Sequence, residues 1–180
     1  MSINLIMGCM FSGKTSALIN VAKMYNLLGK KVIIINYYKD SRYSKSNKIT
    51  THDNVSLECI PCNEDINYIK TLSDYTDCDI ICINEGQFFE NLVEFCINAS
   101  KDEKEVHVCG LDGDYLKRPF GEILNLIPYC ETVYKLNAIC MGCKNGTMAS
   151  FTKKLIKSDK LVEIGATEIY MPVCRKCYDK

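Results

Sequence analysis

Residues 8–15, GCMFSGKT, constrain the fold of this chain more than any other segment. They match the pattern G-x-x-x-x-G-K-[ST], and they lie between an apolar run at residues 3–7 and a helical pattern at residues 14–28. In such a loop backbone N–H groups surround a phosphate at a helix N-terminus, a lysine neutralises the γ-phosphate and a Ser or Thr can ligate magnesium. The strand and helix on either side disfavour the alternative, a chance glycine turn. The nucleotide site predicted from this pattern comprises Gly8, Cys9, Met10, Phe11, Ser12, Gly13, Lys14 and Thr15.

The apolar runs that follow predict the rest of the sheet. Strands are expected at residues 30–36, 79–84, 105–110 and 131–136, with a helical pattern around residues 91–100. Strand, helix and strand in succession form a βαβ unit, which requires a parallel sheet. The predicted fold is therefore α/β, a P-loop NTPase-type parallel sheet with helices on both faces. The polar stretch at residues 37–54 has no periodicity and is expected to be a long loop.

Charge and cysteine usage exclude several classes of function. The 22 Lys and Arg residues balance 22 Asp and Glu residues, which disfavours a nucleic-acid or membrane-binding surface. Many of the 12 cysteines, such as Cys82, Cys96 and Cys109, lie inside apolar patterns and are expected to be reduced and buried. With no apolar run of about 18 residues, the expectation is a soluble, cytoplasmic protein.

The character of the chain changes after residue 137, where two C-x-x-C pairs replace the alternation of strands and helices. Cys140, Cys143, Cys174 and Cys177 can close a tetrahedral site for a structural zinc ion. Unrelated buried thiols are the alternative. Residues 1–137 are thus expected to form the nucleotide-binding domain and residues 138–180 a small zinc-binding domain. A third pair, Cys59 and Cys62, has no partner pair and is expected to be an ordinary surface or core pair, with a redox motif as the disfavoured alternative.

A second candidate site follows the strand at residues 79–84. Ligands of doubly wound sheets bind at the carboxyl ends of strands, and Asn84, Glu85, Gln87 and Phe88 lie at such an end. Glu85 could act as a general base and the aromatic residues could line a pocket for a flat base. From spacing alone, a solvated strand end is equally compatible.

Several sequence blocks together resemble the type II thymidine kinases, the zinc-lasso enzymes. They are GCMFSGKT at residues 8–15, DSRYS at 40–44, THD at 51–53, NEGQFF at 84–89, LDGDY at 111–115, KRPF at 117–120 and YMPVCRKCY at 170–178, with the earlier C-x-x-C pair. The resemblance implies transfer of the γ-phosphate of ATP to the 5′-hydroxyl of deoxythymidine. It implies Glu85 as the base, Lys14 and Arg42 as groups that stabilise the transferred phosphoryl group, and Asp40, Asn84 and Gln87 as further cofactor-binding residues.

The same resemblance implies ATP, Mg²⁺ and structural Zn²⁺ as cofactors, a homotetramer, and residues 138–180 as a lasso over the nucleoside. The implied thymidine contacts are Met10, Phe88, Leu111, Tyr115, Phe120, Thr152, Leu161, Val162, Glu163, Ile164, Gly165 and Tyr170.

Three positions depart from the family pattern. Asn84 stands where the family has an Asp that helps to hold magnesium, Cys9 replaces a Pro, and Ala166 replaces a Gly. Because Asn84 lacks the charge, a nucleoside-binding protein with weakened or lost catalysis is the main alternative. A kinase for another nucleoside remains open, whereas a monophosphate kinase is disfavoured because the chain has only the three arginines Arg42, Arg118 and Arg175. The neutral charge balance makes a zinc-ribbon nucleic-acid binder the weakest candidate.

Overall fold

The computed structural model describes residues 1–38, 47–51, 55–156 and 168–180. The strands are β1 (Ile3–Gly8), β2 (Val32–Tyr37), β3 (Lys48–Thr50), β4 (Ser56–Glu58), β5 (Ile60–Cys62), β6 (Ile80–Ile83), β7 (Glu105–Gly110), β8 (Thr132–Leu136), β9 (Ala138–Ile139), β10 (Met148–Ala149), β11 (Phe151–Lys154) and β12 (Tyr170–Val173). The α-helices are α1 (Lys14–Leu27), α2 (Ser73–Asp77), α3 (Leu92–Lys101) and α4 (Arg175–Tyr178), and 3₁₀ helices span Ile66–Thr71, Gly86–Phe88 and Ile123–Tyr129.

The main sheet of the described chain has six parallel strands in the order β5-β2-β6-β7-β1-β8. The central strands are continuous apolar runs because both faces of the sheet are covered, and all four residues of β6 are buried. The fold class predicted from the sequence is confirmed.

Side chains alternate in direction along the strands, and this alternation divides the core into two layers. Leu5, Ile35 and Val108 face the layer that contains Phe95 of α3 and the 3₁₀ helices. Their neighbours in sequence face the opposite layer, which α1 covers with Leu18. Because successive strand residues point to opposite faces, each central strand contributes to both layers.

The carboxyl ends of these parallel strands lie at one edge of the sheet. The loop between β1 and α1 starts there, Asn84 and Glu85 follow β6, and Leu111 follows β7. Segments that are far apart in sequence are therefore brought to the position at which open α/β sheets bind ligands.

Part of the prediction for residues 37–54 was wrong. Lys48–Thr50 forms β3 and pairs antiparallel with β4, and the edge strand β5 was not predicted. All three strands have only three residues, too few for periodicity to reveal. Asp40 and Arg42 lie outside the described residues.

The segment after β8 forms two short antiparallel pairs, β9 with β10 and β11 with β12. Its small core of Ala138, Cys140, Ala149 and Val173 also includes the buried Cys9 from the loop after β1. This segment therefore packs directly against the phosphate-binding loop. The division into domains at residue 137 stays a prediction.

None of the helices in the described part of the chain has the length and the apolar composition that a membrane span requires.

Leu5→Ala tests the packing of the sheet. Leu5 is completely buried in β1, so we expect a loss of about 2–5 kcal/mol in the free energy of unfolding, measured by urea denaturation. The matched control is Leu27→Ala, because Leu27 is 88% exposed and its truncation should change stability by less than about 0.5 kcal/mol. Equal effects of the two substitutions would contradict this packing.

Candidate active site

The loop between β1 and α1 adopts a conformation that depends on two glycines. A side chain at Gly8 would collide with the carbonyl oxygen of Leu136 on β8. Gly13 has a φ of 84°, in the left-handed region that glycine enters without strain. Phe11, with a φ of 62°, also lies there. These three residues turn the loop tightly into the N-terminus of α1.

Lys14 lies buried inside this loop and its ammonium group donates a hydrogen bond to the Cys9 carbonyl oxygen at 2.7 Å. Burial lowers the pKa of Lys14, and the nearby Glu85 carboxylate opposes that shift. A phosphate in the loop would offer the ammonium group a charged acceptor in place of a carbonyl. The geometry thus suits Lys14 to bind an anion.

Ser12 supplies a second indication of an anion site. Among the described residues, its Oγ is the one buried side-chain oxygen or nitrogen atom without a hydrogen-bond partner. Buried hydroxyl groups nearly always have a partner, so this exception, placed between Phe11 and Gly13, fits a loop shaped for phosphate oxygens.

Asn84, at the end of β6, faces the first turn of α1. Thr15 Oγ1 donates a hydrogen bond to Asn84 Oδ1 at 3.3 Å, and the Cys109 thiol donates to the same oxygen at 3.1 Å. The other end of the amide, Asn84 Nδ2, donates to Asn36 Oδ1 at 2.8 Å. A hydroxyl and an amide oxygen side by side are ligand types that Mg²⁺ accepts, so these residues fit a magnesium site beside the loop.

Glu85 is held on a backbone of φ 55° and ψ 42°, in the left-handed region. Gln87 Nε2 donates to Glu85 Oε2 at 2.6 Å, and Gln87 Oε1 accepts the Leu111 N–H at 2.9 Å. The buried Gln87 therefore orients the Glu85 carboxylate and ties it to the segment after β7. That Gln87 binds the cofactor stays a prediction.

An aromatic wall stands next to Glu85. The Phe88 ring stacks on Tyr37 with centroids 4.7 Å apart and meets Phe120 edge to face at 5.3 Å. Gly121 has a φ of 57°, and a side chain there would collide with the Gln87 carbonyl oxygen, so the Phe120 segment lies close against the Gln87 backbone. The predicted residues Phe88 and Phe120 are brought together. Tyr37 was missed, although it follows a predicted strand.

The zinc segment reaches the same region through Thr152. The Met10 N–H donates to Thr152 Oγ1 at 3.0 Å, and the Cys9 thiol donates to the Ala149 carbonyl oxygen at 3.3 Å. Tyr170, paired with Lys154 in the β11–β12 hairpin, is buried on the next strand. Met10 and Thr152 are therefore in direct contact. Leu161, Val162, Glu163, Ile164 and Gly165, like Ala166, lie outside the described residues.

The four predicted zinc ligands are brought together. The Sγ atoms of Cys140, Cys143, Cys174 and Cys177 all lie within 4.8 Å of one another. Tetrahedral Zn–S bonds of about 2.3 Å place sulfur atoms roughly 3.8 Å apart, so the four thiols fit a structural zinc ion. Gly142 leaves the necessary room, because an added Cβ would lie 3.0 Å from Cys177 Sγ.

The surroundings of Cys140 favour its thiolate form, the form that binds metal. Burial raises the pKa of Cys140, but hydrogen bonds from the backbone N–H groups of Cys174, Cys143 and Gly142 and from the Cys143 side chain outweigh burial and lower the pKa to about 6. The Cys174 N–H is 3.2 Å from Cys140 Sγ.

Tyr178 connects this cluster to the segment after β7. It follows Cys177, and its hydroxyl donates to the Tyr115 carbonyl oxygen at 2.7 Å. The Lys117 ammonium group lies 4.0 Å from the centre of the Tyr178 ring. The zinc cluster thus supports the backbone of Tyr115, a predicted substrate contact. Tyr178 was missed in the sequence analysis. The one signal for it in the sequence is that it directly follows Cys177, a predicted zinc ligand.

The parallel sheet carries a phosphate-binding loop after its first strand, and a polar strand end with a carboxylate lies beside that loop. These features define a P-loop nucleotide-binding enzyme. A family model described as thymidine kinase matches residues 1–178. The chain therefore belongs to the thymidine kinase family, and it is a kinase.

Curated relatives agree along almost the whole chain. The thymidine kinase of Yaba monkey tumor virus (strain VR587) is 43% identical over 178 residues, which cover 99% of this chain and 94% of the relative. Those of myxoma virus (strain Uriarra) and vaccinia virus (strain Ankara) are each 40% identical over 176 residues, covering 98% of this chain and 95% and 96% of the relatives. The resemblance inferred from the sequence blocks is confirmed.

Cys177→Ser tests the zinc site. Loss of one thiolate should release the metal and lower Tm by more than about 5 °C, because the cluster joins the β9–β10 turn to α4. Zinc content by mass spectrometry and Tm by calorimetry measure the two effects. Cys59→Ser, which changes a half-buried cysteine outside the cluster, should leave the zinc content at about one ion per chain. A zinc-free wild-type protein would contradict the assignment.

Proposed function

We propose that this kinase transfers the γ-phosphate of Mg-ATP to the 5′-hydroxyl of deoxythymidine, giving dTMP for nucleotide salvage. The observation that carries the proposal is the placement of Glu85 and Lys14 at one edge of the sheet, in a member of the thymidine kinase family. The two groups are close enough for the Glu85 charge to oppose burial, which lowers the pKa of Lys14. A base and a phosphate-binding cation side by side are what phosphoryl transfer to a hydroxyl group requires.

In the proposed reaction Glu85 accepts the proton of the 5′-hydroxyl as the oxygen bonds to the γ-phosphorus. The bond from that phosphorus to the β–γ bridging oxygen breaks, and ADP leaves with the electron pair. Lys14 neutralises charge on the transferred group, and we assign the same role to Arg42, whose guanidinium fork suits phosphate oxygens. Gln87 holds the Glu85 carboxylate in position through its 2.6 Å hydrogen bond.

Thr15 and Asn84 are the residues that would hold Mg²⁺ at this site, and we also assign cofactor binding to Asp40. When bound, the ion neutralises phosphate charge and helps to orient the nucleotide. Asn84 offers an oxygen without a charge, so we expect weaker metal binding than a carboxylate would give, with the reaction class unchanged.

The nucleoside would lie against the aromatic wall. The rings of Tyr37, Phe88 and Phe120 form an apolar surface for a pyrimidine. Backbone N–H and C=O groups can form hydrogen bonds with the polar edge of the pyrimidine. The proposed contacts are Met10, Phe88, Leu111, Tyr115, Phe120, Thr152, Tyr170 and the segment at residues 161–165. We further propose that residues 138–180 form a zinc-supported lasso domain over the nucleoside, and that the enzyme is a cytoplasmic homotetramer.

A second candidate function rests on Asn84. If the missing charge abolishes transfer, the chain binds ATP and deoxythymidine without turnover. In that case binding of both ligands would be measurable while dTMP formation is absent, and Asn84→Asp would restore it.

Glu85→Gln tests the chemistry. With radiolabelled ATP and Mg²⁺, the wild-type protein should phosphorylate deoxythymidine in preference to deoxycytidine, deoxyadenosine and deoxyguanosine. Glu85→Gln should lower kcat by about 10²–10⁴-fold, because the amide cannot accept the proton, while the KM for ATP changes little.

The matched control is Glu90→Gln, which alters an exposed carboxylate just after Phe89 and should leave kcat unchanged. Full activity in Glu85→Gln would exclude Glu85 as the base. Preference for another nucleoside would contradict the proposed substrate.

A further inference from the structure

The Asn84 carboxamide is oriented by partners on three sides. Its oxygen accepts from the Thr15 hydroxyl and the Cys109 thiol, and its NH₂ group donates to Asn36 Oδ1. Both asparagines are buried, with 1% of Asn84 and 6% of Asn36 exposed. Asn36 lies at the carboxyl end of β2, next to β6 in the sheet.

The orientation matters because the two ends of a carboxamide have opposite chemistry. One end is an acceptor that can face a cation, and the other carries two N–H donors that repel it. A carboxylate has two equivalent oxygen atoms, so either orientation can face a cation. A neutral residue at position 84 therefore supports a metal only if its oxygen faces Thr15.

We propose that Asn36 is a positioning residue that fixes the Asn84 amide with its oxygen toward Thr15 and the metal of the nucleotide. This inference rests on the Mg-ATP site of the proposed function. With Asn36 Oδ1 as the acceptor, rotation of the Asn84 amide by 180° would place two carbonyl oxygens against each other and would turn the NH₂ group toward Thr15. Asn36 thus selects the orientation that Mg²⁺ can use.

The same geometry changes the expected behaviour of an acidic residue at position 84. Asn84→Asp adds a charge but removes the N–H group that donates to Asn36. The Asn36 amide would then have to rotate so that it donates instead. The benefit of the added charge therefore depends on position 36.

The test is calorimetric binding of ADP, with Mg²⁺ and with EDTA, to the full-length wild-type protein and its variants. We expect Asn36→Leu, which has a similar shape but no acceptor, to reduce the Mg²⁺-dependent gain in ADP affinity by about threefold to tenfold, the effect of one hydrogen bond. ADP affinity in EDTA should not change, because the hydrogen bond that Asn36 accepts comes from Asn84 and not from the loop. Asn36→Asp retains the acceptor and should retain the gain.

A double-mutant cycle shows whether Asn36 acts through Asn84. Asn84→Ala alone should reduce the Mg²⁺-dependent gain, and adding Asn36→Leu should then reduce it no further. Asn4→Leu is the control for any general effect of replacing an asparagine of the sheet by leucine. Asn4 accepts from Thr132 near the other end of β1, so its replacement should leave the gain unchanged.

The results distinguish failure of the positioning role of Asn36 from failure of the proposed Mg-ATP site. A wild-type protein whose ADP affinity does not respond to Mg²⁺ overturns both this inference and the proposed Mg-ATP site. A wild-type response that Asn36→Leu leaves intact, or that Asn36→Asp abolishes, overturns the positioning role alone. If circular dichroism shows that Asn36→Leu is unfolded, Asn36→Ala replaces it and the same criteria apply.

Discussion

The structure depends on how the backbone of the phosphate-binding loop is held. Gly8 lies so close to Leu136 that no side chain fits, which fixes the start of the loop against β8. From the other side the zinc segment contacts the loop through Ala149 and Thr152. A loop that must present N–H groups to a phosphate gains from such support, because the groups need no rearrangement when the ligand binds.

The sequence predicted the parallel sheet well because its central strands are continuous, mainly apolar runs that are buried on both faces. It could not predict β3, β4 and β5, because three-residue strands have no measurable period. The phosphate-binding loop and the zinc ligands were predictable for another reason, since their chemistry requires fixed residue types at fixed spacing.

Other features of the site depend on tertiary contacts that no local pattern encodes. Cys9 was predicted only as one residue of the phosphate-binding loop, but its thiol is also buried and donates to the Ala149 carbonyl oxygen. That Gln87 binds the cofactor stays a prediction, and its side-chain amide hydrogen-bonds with Glu85 and the Leu111 backbone. The Asn36–Asn84 pair joins residues 48 positions apart. The sequence placed Cys9, Asn84 and Gln87 near the site, whereas the role of Asn36 and the hydrogen-bond partners of all four residues became evident only from the fold.

The central claim is that the Gly8–Thr15 loop binds the phosphates of ATP through the buried Lys14, and calorimetric titration of Lys14→Met with Mg-ATP tests it most directly. The loss of a buried cation facing phosphate should weaken binding by at least about 10-fold, the effect of a hydrogen bond to a charged group. Lys23→Met, on an exposed position of the same helix, should bind like the wild-type protein. Equal affinity of Lys14→Met and wild type, with both folded, would contradict the account.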